Sequence, residues 1–331
     1  MKKRSMLAIA LIVAVAVLIA VLSEVVNFNS VSAPRHLGFV LGVCTHGNES
    51  SELYALENGV RYFRTDISLG KSQEALLGAE HSAYNASYLG ILDYETLPGG
   101  SSNKNWSLNE WNASVASAIA AYPWIDTWEI WNEPLVKQFQ TGYMNGSAYN
   151  YYMLIRSASK VIKAKEPNAT IVCFGGAPIA DYQAMLWYEQ VWSYGAYKYC
   201  NAVSIHAYPY GPELLSGSQE QAWKASLYAY ENFTHVPIWI TEFGMPSSSV
   251  ETQGYTQSLQ SAFMEQGLAL FGNIGFVKRV YWYDLWGLSD GTLGNNFGLL
   301  NLSNPGTGAQ SAAWHTFIGA YSGSKSTLHN Q

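Results

Sequence analysis

The chain has 331 residues, of which 48% are hydrophobic and 13% charged, with a net charge of −6. That hydrophobic share excludes a disordered chain, and the missing basic surplus excludes nucleic acid as a partner. The three cysteines, Cys44, Cys173 and Cys200, are far apart and show no C-x-x-C spacing, which excludes a zinc ribbon and a disulfide-built scaffold.

Met1-Lys2-Lys3-Arg4-Ser5-Met6 precedes sixteen apolar residues from Leu7 to Leu22. A basic start ahead of an apolar run reads as a secretion signal or a membrane anchor. The run slightly exceeds a signal's apolar region of about 7–15 residues. It falls short of the roughly 20 that span a bilayer. Residues 1–33 are therefore expected to be a cleaved signal or a retained anchor with a short linker. Either leaves the rest of the chain exported, with membrane contact only through this segment.

Asn-x-Ser/Thr sequons at Asn48, Asn85, Asn105, Asn112, Asn145, Asn168, Asn232 and Asn301 support export. These are eight, against roughly three expected by chance, and such sequons mark outer loops of secreted proteins. Export also permits a bridge between Cys173 and Cys200, although all three cysteines read first as buried and inert.

From residue 37 the chain alternates short apolar runs with amphipathic stretches. Strands are expected at Leu37–Cys44, Tyr62–Ile67, Tyr88–Tyr94, Thr127–Trp131, Thr170–Phe174, Ala202–Ile205, Pro237–Thr241 and Lys278–Trp282. They are bounded by Gly, Pro, Asn or Asp, as strands buried on both faces should be. Helices are expected at Leu108–Ala121, from a Ser147 cap to Glu166, and at Asp181–Ser193, Gln219–Phe233, Thr252–Phe271 and Gln310–Ala320. Eight such units predict an α/β fold, a (β/α)8 TIM barrel over residues 37–321. An open doubly wound sheet lacks its G-x-G-x-x-G after the first strand.

Barrels of this kind carry their chemistry at the C-terminal strand ends. Strand two ends Arg64-Thr65-Asp66, and strand four ends Trp128-Glu129-Ile130-Trp131-Asn132-Glu133-Pro134. Strand six ends His206-Ala207-Tyr208, strand seven Ile240-Thr241-Glu242-Phe243-Gly244, and strand eight Tyr281-Trp282-Tyr283-Asp284. Glu133 and Glu242 would face each other across one mouth. Two carboxyls flanking one bond suit glycoside hydrolysis, one protonated for the leaving oxygen and one ionised for attack. Glu129 reads instead as the buried partner of an arginine. Asp66 and Glu95 read as loop hydrogen-bonders or outer-subsite residues. Among loop aromatics, one or two of Trp106, Trp111, Tyr210 and Trp286 are expected to line a saccharide cleft.

The strand-four and strand-seven motifs resemble the signature of clan A retaining glycosidases. That clan includes family 5 cellulases and β-mannanases and family 39 β-xylosidases. The resemblance implies Glu133 as acid/base and Glu242 as nucleophile. It further implies Asn132 on the sugar 2-hydroxyl, Arg64 and Tyr208 against Glu242, and His206 orienting the acid/base or the sugar. Trp282 is implied as the floor under the sugar. His46, after strand one, is a candidate for a sugar hydroxyl or a structural histidine. Family 5 usually places a histidine after strand three, where this chain has Leu92-Asp93-Tyr94-Glu95.

The expected activity is hydrolysis of a β-linked polysaccharide or oligosaccharide, foremost an endo-β-1,4-glucan, with mannan and xylan as alternatives. A non-catalytic lectin on the same barrel would need neither glutamate, whereas a transglycosylase remodelling surface glycans would use both. No metal cluster or phosphate loop is present in the sequence, so no cofactor is expected.

Overall fold

The structure, a computed structural model, describes residues 37–47, 49–247, 254–287, 296–301 and 310–324. The chain divides into two units, Met1–Arg35 and His36–Gln331. The N-terminal signal or anchor lies outside the described residues. Among the described residues no helix is long and apolar enough to cross a membrane.

Eight parallel strands close into one barrel in sequence order. They are β1 Val40–Thr45, β2 Tyr62–Asp66, β3 Ser87–Leu92, β4 Thr127–Ile130, β5 Thr170–Pro178, β6 Ala202–Ala207, β7 Ile238–Phe243 and β8 Val277–Trp282. β8 pairs with β1 to complete the ring. Every expected strand overlaps an observed one, because runs this short and apolar between turn residues have few other ways to bury both faces.

The helices are α1 Glu49–Glu57, α2 Lys71–Tyr84, α3 Leu108–Ala121, α4 Ala148–Lys165, α5 Tyr182–Ser193, α6 Gly217–Thr234, α7 Gln257–Gly272 and α8 Ala312–Ser324. α1 and α2 occupy stretches where the sequence marked no helix. Several helix starts carry side-chain caps, the expected Ser147 among them. Ser107 forms a capping box with Glu110 ahead of α3, and the Ser147 and Asp181 side chains accept from the first turns of α4 and α5.

Two apolar layers follow from strand alternation. The larger lies between strands and helices and includes Phe243, Trp282 and Trp131. The smaller gathers Cys44, Leu89, Val172, Ala202, Trp239 and Tyr281 inside the ring. The guanidinium of Arg279 lies 4.2 Å from the centre of the Trp239 ring.

β5 is longer than expected because it bulges. Phe174, Gly175 and Gly176 all have positive φ, and the pairing with β6 shifts between Cys173 and Ala177. Cys173 and Cys200 form a disulfide with their Cα atoms 5.7 Å apart. It ties β5 to the segment entering β6. Cys44 remains a free, buried thiol.

Candidate active site

Arg64 projects from β2 into the upper barrel, where it is 2% exposed. Its Nε donates to Glu129 Oε2 at 2.6 Å, its Nη1 to Glu242 Oε1 at 2.7 Å and its Nη2 to Asn132 Oδ1 at 3.0 Å. One planar fork therefore fixes residues from β4 and β7 at once. Glu129 is fully buried and also accepts from the Thr241 hydroxyl at 3.1 Å. It is the arginine partner that the sequence suggested.

Glu133 lies just beyond β4. Trp131 and Glu133 both hold positive φ, 69° and 43°, which non-glycine residues adopt only where the surroundings compel it. The compulsion comes from the bulge in β5, since Glu133 N donates to Gly175 O at 2.6 Å. The same bulge makes room for His206. A Cβ on Gly176 would lie 2.2 Å from His206 Nε2, and one on Gly175 would lie 2.6 Å from Trp131 O. The Gly175-Gly176 pair was visible in the sequence, but nothing local said what it would face.

His206 joins the two glutamates. Its Nδ1 is 3.0 Å from Glu133 Oε1 and 3.4 Å from Glu242 Oε2. One oxygen of each glutamate and one His206 nitrogen all lie within 4.8 Å of one another. The Tyr208 hydroxyl donates to Glu242 Oε2. Burial would push the Glu242 carboxyl up. The charges of His206 and Arg64 and the hydrogen bonds from Tyr208 and Arg64 outweigh it and hold the group below the usual carboxylate range. The Glu133 side chain is 27% exposed against 8% for Glu242. One carboxyl thus faces the cavity, and the other is clamped in the wall.

A cavity of about 710 Å³ opens above them. His46, Arg64, Asn132, Glu133, Tyr208 and Glu242 line it, together with Asp66, Tyr94, Glu95, Gln138, Phe139, Tyr283 and Phe297. His206 is buried behind its two glutamates.

Trp282 is not the floor of this cavity. It is 1% exposed and packs edge-on against Phe243, ring centroids 5.2 Å apart, in the layer beneath the helices. Alternation along β8 sends Tyr281 and Tyr283 to the side opposite Trp282, and Tyr283 lines the cavity in its place. Nor does any of Trp106, Trp111, Tyr210 or Trp286 line it. Trp106 and Trp111 are buried against Trp131, while Tyr210 is exposed.

His46 lines the cavity, yet its ring nitrogens face carboxylates. Nδ1 is 3.1 Å from Asp66 Oδ2, and Nε2 is 3.6 Å from Asp284 Oδ2. Burial disfavours its charge, but the Asp66 hydrogen bond and the charges of Asp284 and Asp66 prevail and raise it to about 9. Asp284, raised by burial and partly offset by His46, sits at about 7.

The sequence profile of the glycosyl hydrolase catalytic core matches residues 81–310. The chain belongs to that family. No curated protein matches this hydrolase. Among solved structures it is similar to a family 39 glycoside hydrolase from Bacteroides cellulosilyticus, with 16% identity and a TM-score of 0.62 over 87% of this chain and 65% of that one. A β-D-glucuronidase from Dictyoglomus thermophilum gives 14% identity and 0.61 over 86% and 50%. A family 128 endo-β-1,3-glucanase from Amycolatopsis mediterranei, solved with laminarihexaose, gives 18% and 0.53 over 85% and 98%. At these identities the likeness is one of fold. The hydrolase spans about two thirds of the first of these chains and half of the second.

Proposed function

We propose that this hydrolase cleaves a β-linked polysaccharide with retention of anomeric configuration, Glu242 acting as nucleophile and Glu133 as acid/base. The observation that carries the reading is the closeness of the two carboxyls, with oxygens within 4.8 Å and His206 between them. Direct attack on the anomeric carbon needs carboxyls roughly 5–5.5 Å apart, whereas inversion needs roughly 6.5–9.5 Å for an intervening water.

In this mechanism Glu242 Oε attacks the anomeric carbon while Glu133 protonates the departing glycosidic oxygen. Arg64 and Tyr208 keep Glu242 ionised before attack. Glu133, now a carboxylate, takes a proton from a water that displaces Glu242. His206 spans both groups and stays with Glu133 through its change of charge. Asn132, held by Arg64, presents its amide to the sugar 2-hydroxyl.

A β-1,4-glucan remains the leading substrate, with mannan and xylan beside it. The likeness to an enzyme solved with laminarihexaose adds β-1,3-glucan to the panel. The reading also places the hydrolase outside the cytoplasm. The basic-apolar N-terminus, the sequon excess and the disulfide support this. Asn85, Asn105, Asn145, Asn168 and Asn232 are exposed and Asn112 is half-buried, while Asn48 and the side chain of Asn301 lie outside the described residues.

The test is hydrolysis of a panel of soluble β-glucans, mannan and xylan, with the anomer of the first product followed by proton NMR. β-Configured product from one of them is expected. An α-configured first product would overturn the assignment of Glu242.

A further inference from the structure

The cavity is rich in carboxyls. Asp66, Glu95, Glu133 and Glu242 supply carboxyls, and among the described residues Arg64 and His46 are its only lining side chains that carry positive charge. Both are already engaged. Arg64 binds Glu129, Glu242 and Asn132. His46 lies between Asp66 and Asp284. Lys137, beside the lining residue Gln138, is exposed and not part of the lining. Among the described residues that follow β6, β7 and β8, positions 208–216, 244–247 and 285–287 contain no Lys or Arg but include Glu213.

We infer that the cavity selects an uncharged sugar and rejects a uronic acid, with Asp66 as the residue that makes the distinction. This rests on the reading above, that the sugar being cleaved sits in this cavity. Asp66 is 27% exposed at the cavity wall, and its Oδ2 is fixed by His46. Burial would raise its carboxyl, but the His46 hydrogen bond and the charges of His46 and Arg64 hold it low. That hydrogen bond and those charges both favour its ionised, hydrogen-bond-accepting form. Sugar hydroxyls can donate to it. A uronate carboxylate brings a like charge to this wall and finds no unengaged cation among the described lining residues. The similar β-D-glucuronidase fold thus gives no guide to this substrate.

The test compares matched pairs that differ only in charge. These are 4-nitrophenyl β-glucoside against β-glucuronide, β-galactoside against β-galacturonide, and cello- and laminari-oligosaccharides against their C6-oxidised forms. In the wild type, kcat/KM for the neutral member should exceed that for the acid by about 100-fold or more. In Asp66→Asn, activity on the neutral member should fall while the ratio narrows by about tenfold or more. A merely structural Asp66 would lower both members together and leave the ratio unchanged, and that result would overturn the inference. A wild type that accepts any acid within tenfold of its neutral partner would overturn it too.

Binding to Glu133→Gln, read by saturation-transfer NMR, separates the two levels of failure. If no member of any pair binds or turns over, and manno- and xylo-oligosaccharides do neither, the β-glycan reading fails and this inference falls with it. If neutral and acidic members bind alike, only the charge selection fails.

Discussion

Arg64 Nη1 lies 2.7 Å from Glu242 Oε1, and both side chains are buried. The pair holds the carboxyl in its ionised form against the cost of burial. Arg64→Lys replaces a three-way fork with a point charge that cannot reach Glu129, Glu242 and Asn132 together. The Glu242 carboxyl should then rise. Activity is lost on the acid side as Glu242 takes up a proton, so the acid limb of kcat/KM should move to higher pH. The maximum should fall about 100-fold, the scale of one misplaced catalytic contact. A pH profile with an unmoved acid limb would count against the clamp.

The two glutamates should separate under azide. Glu242→Ala should lose turnover of every substrate, and azide should restore reaction on activated glycosides as the α-glycosyl azide. Glu133→Ala should keep substrates whose leaving groups depart without a proton, and azide should yield the β-glycosyl azide. The anion replaces the nucleophile in one case and the base-activated water in the other. NMR of the two azides reads the assignment directly.

Gly176→Ala tests the bulge. Its new methyl would lie 2.2 Å from the His206 ring, on a residue with φ of 80°. His206 must move, and with it the bridge between Glu133 and Glu242. A loss of at least about 100-fold in kcat is expected, with a smaller loss in Tm. Near wild-type kcat would show that His206 position is not limiting.

Trp282 and Tyr283 should part in their effects. Trp282→Ala empties a buried site and should cost about 3–5 kcal/mol of stability, read by denaturant unfolding. Tyr283→Ala removes a cavity-lining ring and should raise KM more than it lowers stability.

A second carboxyl pair contributes to the pH dependence of stability. Glu52 on α1 and Glu80 on α2 are 0% and 2% exposed. Thr45 donates to Glu52 and Tyr88 to Glu80, and each glutamate keeps one buried oxygen with no partner unless the two share a proton. Burial and the charge of Glu52 raise Glu80 from 4.5 to about 8. The folded state therefore binds more protons than the unfolded chain between those values. Stability from this group is complete below about pH 4.5 and declines as pH rises through about 8. Glu80→Gln should flatten that decline in urea midpoints measured from pH 4 to 9. A decline of unchanged slope would place the proton elsewhere.

The barrel and its two glutamates were legible in the sequence because both depend on local pattern. Apolar runs bounded by turn residues mark strands, and Trp-Asn-Glu-Pro and Thr-Glu-Phe-Gly mark which strand ends carry carboxyls. Arg64, Asn132, His206 and Tyr208 were implied by the clan A resemblance that those strand ends carry. The facing of a side chain is less local, because a shift of one residue along a strand reverses it. That is why Tyr283, and not Trp282, reached the cavity. α1 has almost no periodic apolar stripe to mark it as a helix, and α2 buries only Leu77 and Glu80. The joining of His46 to Asp66 and Asp284 brings residues from three strand ends together. The space at Gly176 for His206 and the Glu52–Glu80 pair are likewise set by closure of the ring. They depend on register between elements distant in the chain, which only the tertiary structure decides.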